Sequence, residues 1–463
     1  MLEKSIVEKV LLEAVQTGGD FAQLFEEKTE KSAIKCMDGR VDSSTQGFDR
    51  GVGLRICHGT DSYYGYTSDL SEESLLQLAR ELRSSIHDEV KINQIKLGEI
   101  VVQPLYEVKI PFSQVALKQK VALMKKANEA ALGYNALIKK TIVQYMDQTQ
   151  EVWIADTDGR YVSDKRTRTR FYVTAIAIDE HGKMQDGSMS KGGSYGFEFY
   201  DSIDVEELAK QASKTAVTML FADPCPSGVM PVVIDHGFGG VIFHEACGHS
   251  LEATSVAKNQ SVFSGKLGQK IASDVVTAID DATIPNAWGS ASIDDDGYPT
   301  KRNVLIENGV LKSYMIDSFN QRRMKMEHTS SSRRQSYKFE PTSRMSNTFI
   351  ANGSSTFEEI IQATKKGLYA KRLGGGSVDP STGDFNFAVL EAYLIEDGKI
   401  TKPVSGATII GNGSDSLLKI DMVANNCERE QGMCGSISGS ICADVGQPTI
   451  RVMDMTVGGS EHE

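Results

Sequence analysis

The stretch VMPVVIDHGFGGVIFHEACGHSLEA, residues 229–253, passes through three textures in quick succession. Its apolar opening reads as a buried strand. The glycines at 237–240 read as a tight turn, and HEACGHSLEA as a short helix. That helix would carry His244, Glu245 and His249, a dense cluster in a chain with eight histidines. The zinc-protease helix H-E-x-x-H has its histidines four apart on one face. Here the step is five. At roughly 100° per residue, a four-residue step turns a side chain by about 40° and a five-residue step by about 140°. Two imidazoles that far apart on a regular α-helix do not share an ion. The spacing therefore leaves two readings, a locally widened or broken helix or a pair of unrelated histidines. Gly248, immediately before His249, favours widening: glycine lowers the cost of leaving helical geometry, and π-bulges gather at functional sites.

On the widened reading, His244 and His249 supply two metal ligands, and Glu245 can hold a water without binding the ion. A rival pair is His244 with Cys247, three apart in good helical geometry, although buried cysteines are usually inert. The third ligand must come from elsewhere. The segment NNCEREQGMCGSISGSICADVGQPT, 425–449, offers Cys427, Cys434 and Cys442. Cys434 lies in Gly-Met-Cys-Gly, where glycines allow close approach to another backbone. Cys442, between Ile and Ala, reads as a strand-core residue. Spacing favours Cys434 only modestly, and Cys247 stays open as its rival.

The rest of the chain sets the frame. Its 463 residues exceed what one core organises, so two or three domains are expected. With 40% hydrophobic and 24% charged residues it has a globular composition. A net charge of −12 argues against broad electrostatic binding to nucleic acid or to an anionic membrane. No apolar run approaches the ~18 residues that span a bilayer. The N-terminal segment has mixed charges and no small-residue cleavage site, so it reads as a helix rather than a signal peptide. Seven scattered cysteines, an odd number, fit reduced thiols in a cytoplasm.

Residues 1–222 read as an α+β domain. The first helix carries Ile6, Val10, Leu11, Leu12 and Val15. Strands fill 20–68, a helix begins behind the N-cap Ser71, and another covers 113–133. Strands return over 139–180, turning at Asp158-Gly159, and a further helix covers about 203–221. DPCPSG, 223–228, reads as a linker. Residues 228–463 read as a β-rich, barrel-like domain carrying the metal site, with hairpins turning at Asn308-Gly309 and Asp397-Gly398 and glycine clusters at its corners. Asp294-Asp295-Asp296-Gly297 lacks the alternating ligands of a calcium loop and reads as a hairpin turn. The basic segment 321–338 reads as a solvated, mobile loop, with a moving lid as its functional variant. His236 reads as structural.

The chain also resembles a known family. HEACGHSLEA, GMCG and VGQPTIRVMDMTVGG are similar to segments of the TldD branch of the TldD/PmbA (TldE) metallopeptidases. So are IDDDGYPTKRNVLIENGVLKSYMID, SRMSNTFI, GGGSVDPSTGDFNF and AYLIEDGKITKPVSGATIIGNG, in family order, and the resemblance covers nearly the whole chain. The five-spaced H-E-x-x-x-H is that family's own pattern. The resemblance implies one zinc per chain, held by His244, His249 and Cys434, with Glu245 catalytic. It implies proteolysis of small or unfolded peptides by a dimer, formed with a PmbA/TldE-type partner or with itself. Family members are also called modulators of DNA gyrase, a role for which the charge of −12 offers no direct DNA contact. Two other classes compete with the peptidase. One is a non-catalytic peptide-binding or assembly subunit with a structural zinc, Cys247 or Glu252 completing four ligands. The other is a thiol enzyme using Cys434 with a histidine.

Overall fold

The computed structural model describes residues 1–379 and 382–460. Pro380 and Ser381, in the GGGSVDPSTGDFNF stretch, lie outside the described residues. The fold is α+β, with a closed barrel in its second half, as the sequence pattern predicts.

The first half is built on one seven-stranded sheet. Its strands are β1 (Phe21–Met37), β2 (Arg40–His58), β3 (Asp61–Thr67), β4 (Gly98–Ile100), β5 (Ile138–Asp156), β6 (Arg160–Ile178) and β7 (Met184–Gly193). The order is β3-β2-β1-β5-β6-β4, with β7 also on β6. Helices α1 (Lys4–Ala14), α2 (Glu72–Arg83), α3 (Leu117–Tyr134) and α4 (Val205–Leu220) cover it. Helix α1 buries Val7, Val10, Leu11 and Ala14, a stripe at helical spacing. Ser71 caps α2 by accepting the Ser74 N–H. A second apolar cluster joins Met124 and Ala127 of α3 and Leu208 and Ala212 of α4 to Phe171, Val173 and Ala175 of β6.

In the second half, strands Gly228–Ile234, Ile450–Gly458, Thr408–Asn412, Asp384–Glu396 and Lys366–Val378 pair in a ring and close a five-stranded barrel. A six-stranded sheet stands beside it, with Glu428–Ser436 at one edge and Gly439–Gln447 next inward. Both expected hairpin turns have two consecutive positive φ angles: 48° and 80° at Asn308-Gly309, 50° and 71° at Asp397-Gly398. That is the signature of a type I′ turn.

Two expectations need correction. Residues 223–228 are no free linker: Asp223–Pro224 pairs with Val404–Ser405, and the Cys225 N–H donates to Ser405 O at 2.9 Å. The basic segment 321–338 is not a solvated loop. Residues Ser318–Met324 are helical, and Ser330, Ser331, Ser332 and Arg334 are buried. Arg334 donates to Asp295 O at 2.8 Å and Gln23 Oε1 at 3.0 Å, Arg322 pairs with Asp20, and Lys338 pairs with Asp49 at 2.8 Å. Asp295 is 39 residues away and the other partners hundreds, so the local pattern carries no trace of them.

The same seam uses the acidic turn 294–297. It is a hairpin, with the Asp294 N–H donating to Tyr298 O at 2.9 Å and Gly297 at φ 84°. Its carboxylates are buried against the first sheet, where Arg55 meets Asp296 at 2.5 Å and Arg166 meets Asp295 at 2.7 Å. On β6, Arg166, Arg168 and Arg170 alternate and so face one way. They donate to backbone carbonyls of the second half: Ile293 O, Trp288 O and Gln431 O, each at 2.9 Å. Buried charges are tolerated when paired and hydrogen-bonded, as Arg55 is with Asp296 and Arg166 with Asp295.

Candidate metal centre

The barrel strand Gly228–Ile234 delivers the chain to a tight turn at Gly237–Gly240. A Cβ on Gly240 would lie 2.4 Å from the Gly446 backbone, so only glycine lets this turn press against the second sheet. One α-turn, Val241–Phe243, leads into a π-turn at His244–Gly248, then a short 3₁₀ turn at His249–Leu251. The His249 N–H donates to His244 O, a five-residue closure. A π-turn holds one extra residue, so a step of five returns a side chain to the same face. The two imidazoles meet with ring centroids 5.2 Å apart and planes at 86°.

The third arm comes from the edge strand Glu428–Ser436, where Cys434 is buried beside Ile441 and Ala443. Its Sγ lies 3.2 Å from His244 Nε2 and 3.2 Å from His249 Nε2. The three donor atoms all fall within 4.8 Å of one another, and no other such group occurs among the described residues. Burial alone would raise the Cys434 pKa, but hydrogen bonds from both histidines outweigh it and bring it down to about 5. The sulfur is therefore a thiolate near neutral pH. On His249, burial disfavours the charge, while Glu252 and Cys434 outweigh that and hold its pKa well above the usual value.

These residues fit a metal ion of zinc's kind. With Zn–N near 2.0–2.1 Å and Zn–S near 2.3 Å, tetrahedral ligands place N and S about 3.5 Å apart. The observed separations differ by only a few tenths of an ångström. Two imidazoles and a thiolate are also a borderline-soft donor set suited to zinc.

Glu245 stands at the open side of the cluster. Its side chain is 30% exposed, and Oε2 lies 3.6 Å from His249 Nε2. Cys247 points the other way. Its Sγ is 3.6 Å from Gly413 O, beside Ile242, Leu417 and Ile450, and burial pushes its thiol up. Cys427 faces Ile350 O at 3.5 Å, and Cys442 is half-buried on Gly439–Gln447. His236 bonds Asp235 at 2.8 Å and is not part of the cluster. Two features escape the sequence reading. The alternating arginines of DKRTRTRF carry a visible period-two signal. Arg344, inside SRMSNTFI, has no local signal for its contacts.

Two imidazoles and a thiolate beside a partly exposed carboxylate make a group that can hold a metal ion. Comparison with known proteins names the class of protein that carries it. The PmbA/TldA metallopeptidase domain 1, central domain and C-terminal domain match residues 22–86, 110–220 and 227–459. The chain belongs to the PmbA/TldD metallopeptidase family. It is 36% identical to the metalloprotease TldD homolog of Haemophilus influenzae, over 95% of this chain and 93% of the relative. Among solved structures it resembles a Thermotoga maritima protein described as a candidate modulator of a DNA gyrase. That match has TM-score 0.81 and 22% identity, and covers 98% of this chain and 100% of the other. It also resembles TldE from Thermococcus kodakarensis, with TM-score 0.78 and 18% identity, over 98% and 100% of the two chains.

Proposed function

We propose that this chain is a zinc metallopeptidase acting on small or unfolded peptides, with one zinc held by His244, His249 and Cys434. The observation that carries the reading is the convergence of both Nε2 atoms on the Cys434 thiolate, with Glu245 at the solvent side. Zinc, when bound there, supplies Lewis acidity and lowers the pKa of water toward neutrality. Glu245 takes a proton from the attacking water on its carboxylate and returns it to the leaving amine. A thiolate donates more charge than a third imidazole, which favours slow turnover.

An extended peptide added to a free sheet edge is held through its backbone, with little dependence on sequence, which suits unfolded substrates. The molecule divides into domains at 1–222 and 228–463, and works as a dimer with a PmbA/TldE-type partner or with itself. No described helix is long and apolar enough to cross a membrane. The free cysteines suit a cytoplasmic setting, and the charge of −12 argues against direct nucleic-acid contact.

The alternative is a non-catalytic peptide-binding subunit with a structural zinc, which needs four protein ligands. Cys247 and Glu252, its candidates for the fourth, point to Gly413 O and to His249 Nδ1 instead. Elemental analysis and peptide cleavage decide between them. One zinc per chain, with chelator-sensitive cleavage that Glu245→Gln abolishes, supports the peptidase. A zinc-loaded dimer that cleaves no unfolded peptide supports the alternative.

A further inference from the structure

Arg344, in the connection between Thr342–Ser343 and Asn347–Ile350, is buried to 1% exposure. Its guanidinium reaches both arms of the metal cluster. One terminal nitrogen donates to Cys434 O at 2.7 Å. The other donates to Ser438 Oγ at 2.9 Å and Gly439 O at 3.1 Å, at the turn of the Cys434 hairpin. Its Nε faces Glu252 Oε1 at 3.7 Å, an ion-pair separation at which neither atom has a hydrogen-bond partner, and the other Glu252 oxygen lies 3.2 Å from His249 Nδ1. The next residue, Met345, packs against the π-turn: its Sδ would lie 2.3 Å from a Cβ on Gly248. The segment itself is pinned, with the Arg344 N–H on Ser331 O and the Ser346 N–H on Asp280.

We infer that Arg344 and Glu252 form a positioning brace that sets the Cys434 thiolate in register with His249, and that SRMS, 343–346, is its mount. The inference rests on the metal centre proposed above. A planar guanidinium with several fixed donors suits this task, because it orients two groups at once where an ammonium orients one. Glu252 holds the His249 Nδ1 proton, so that a metal taking the place of the Nε2 proton meets a fixed ring. The His244 Nδ1, buried without a partner, has no such support. The brace therefore acts on one histidine and on the thiolate, and their relative position is the one that depends on two distant segments.

The test uses the full chain loaded with cobalt(II), whose thiolate charge-transfer band in the near ultraviolet reports the metal–sulfur bond. The variants are Glu252→Gln, Arg344→Met and the double substitution, which leaves no unpaired buried charge if the single arginine variant does not fold. Far-ultraviolet circular dichroism checks the fold of each. The expected result is a folded variant with metal affinity lowered about 10–100-fold and a weaker or shifted charge-transfer band per bound cobalt. A folded double variant with wild-type affinity and an unchanged band overturns the brace and leaves the metal centre standing. A wild-type protein with no thiolate band, or no metal, overturns both.

Discussion

Met345 Sδ occupies the place where a side chain on Gly248 would begin, 2.3 Å from its ideal Cβ. Gly248 has ordinary helical dihedrals, φ −56° and ψ −50°, so the glycine serves the close approach of the segment holding Arg344 rather than the turn itself. Gly248→Ala should cost about 1–3 kcal/mol by overpacking and weaken metal binding together with stability. Urea unfolding of the metal-free protein, set beside a zinc titration, checks this. Unchanged stability and affinity would show that the contact is dispensable.

Glu245→Gln keeps a side chain of the same size and removes the proton acceptor. The variant should hold zinc at the wild-type level while peptide cleavage falls by at least about 100-fold, the lower range for loss of a general base. A zinc-loaded variant that still cleaves at the wild-type rate rejects the role.

The two cysteines nearest the histidines should behave oppositely. Cys434→Ala should lower zinc affinity by more than the ~10–100-fold that follows loss of a supporting hydrogen bond. Cys247→Ala should retain the metal and lose about 1 kcal/mol of packing. Elemental analysis of both, after dialysis against a weak chelator, separates them, and metal loss with Cys247→Ala would reverse the ligand assignment.

Asp444 gives a pH signature. Burial pushes its carboxyl up to about 6, against the hydrogen bond from the Trp288 N–H and the charges of Arg429 and Arg170. A folded pKa above the ordinary 3.8 means the group favours the folded state below pH 3.8 and loses that contribution as pH rises through about 6. Asp444→Asn keeps the acceptor for Trp288 and should raise stability at pH 8 by up to about 3 kcal/mol, with no gain at pH 4. Thermal melts at both pH values test it, and an equal gain at each would reject the ionisation account.

The seam between the halves rests on buried ion pairs. Arg55→Met leaves Asp296 facing a low-polarity interior and should cost about 3–5 kcal/mol. Denaturant titration measures it. A loss under about 1 kcal/mol would mean that the Ser318 hydrogen bonds already satisfy Asp296.

What the sequence made legible was local. The five-residue histidine step left a widened turn or unrelated histidines, and the π-turn at His244–Gly248 is the first of these, although Gly248, taken as its sign, keeps helical dihedrals. Asn308-Gly309 and Asp397-Gly398 announce their turns through positive φ. The choice among Cys427, Cys434 and Cys442 was not legible without the family resemblance. It depends on how the pair of strands after residue 428 lies against the π-turn, and no spacing encodes that. The basic segment misled for the same reason: Arg334 looks like a surface cation until Asp295 and Gln23, from other elements, close over it. Arg166, Arg168 and Arg170 show the intermediate case. Their alternation is readable, while the carbonyls they bind are not.

The histidines leave a barrel strand and the thiolate sits on the edge of another sheet, 185 residues later. At about 5–20 residues per second, a ribosome needs roughly 10–40 s to travel between them. A chain emerging during that interval carries both imidazoles and Glu245 but not yet Cys434, so the proposed ligand set is completed only once the later sheet has been made and has docked.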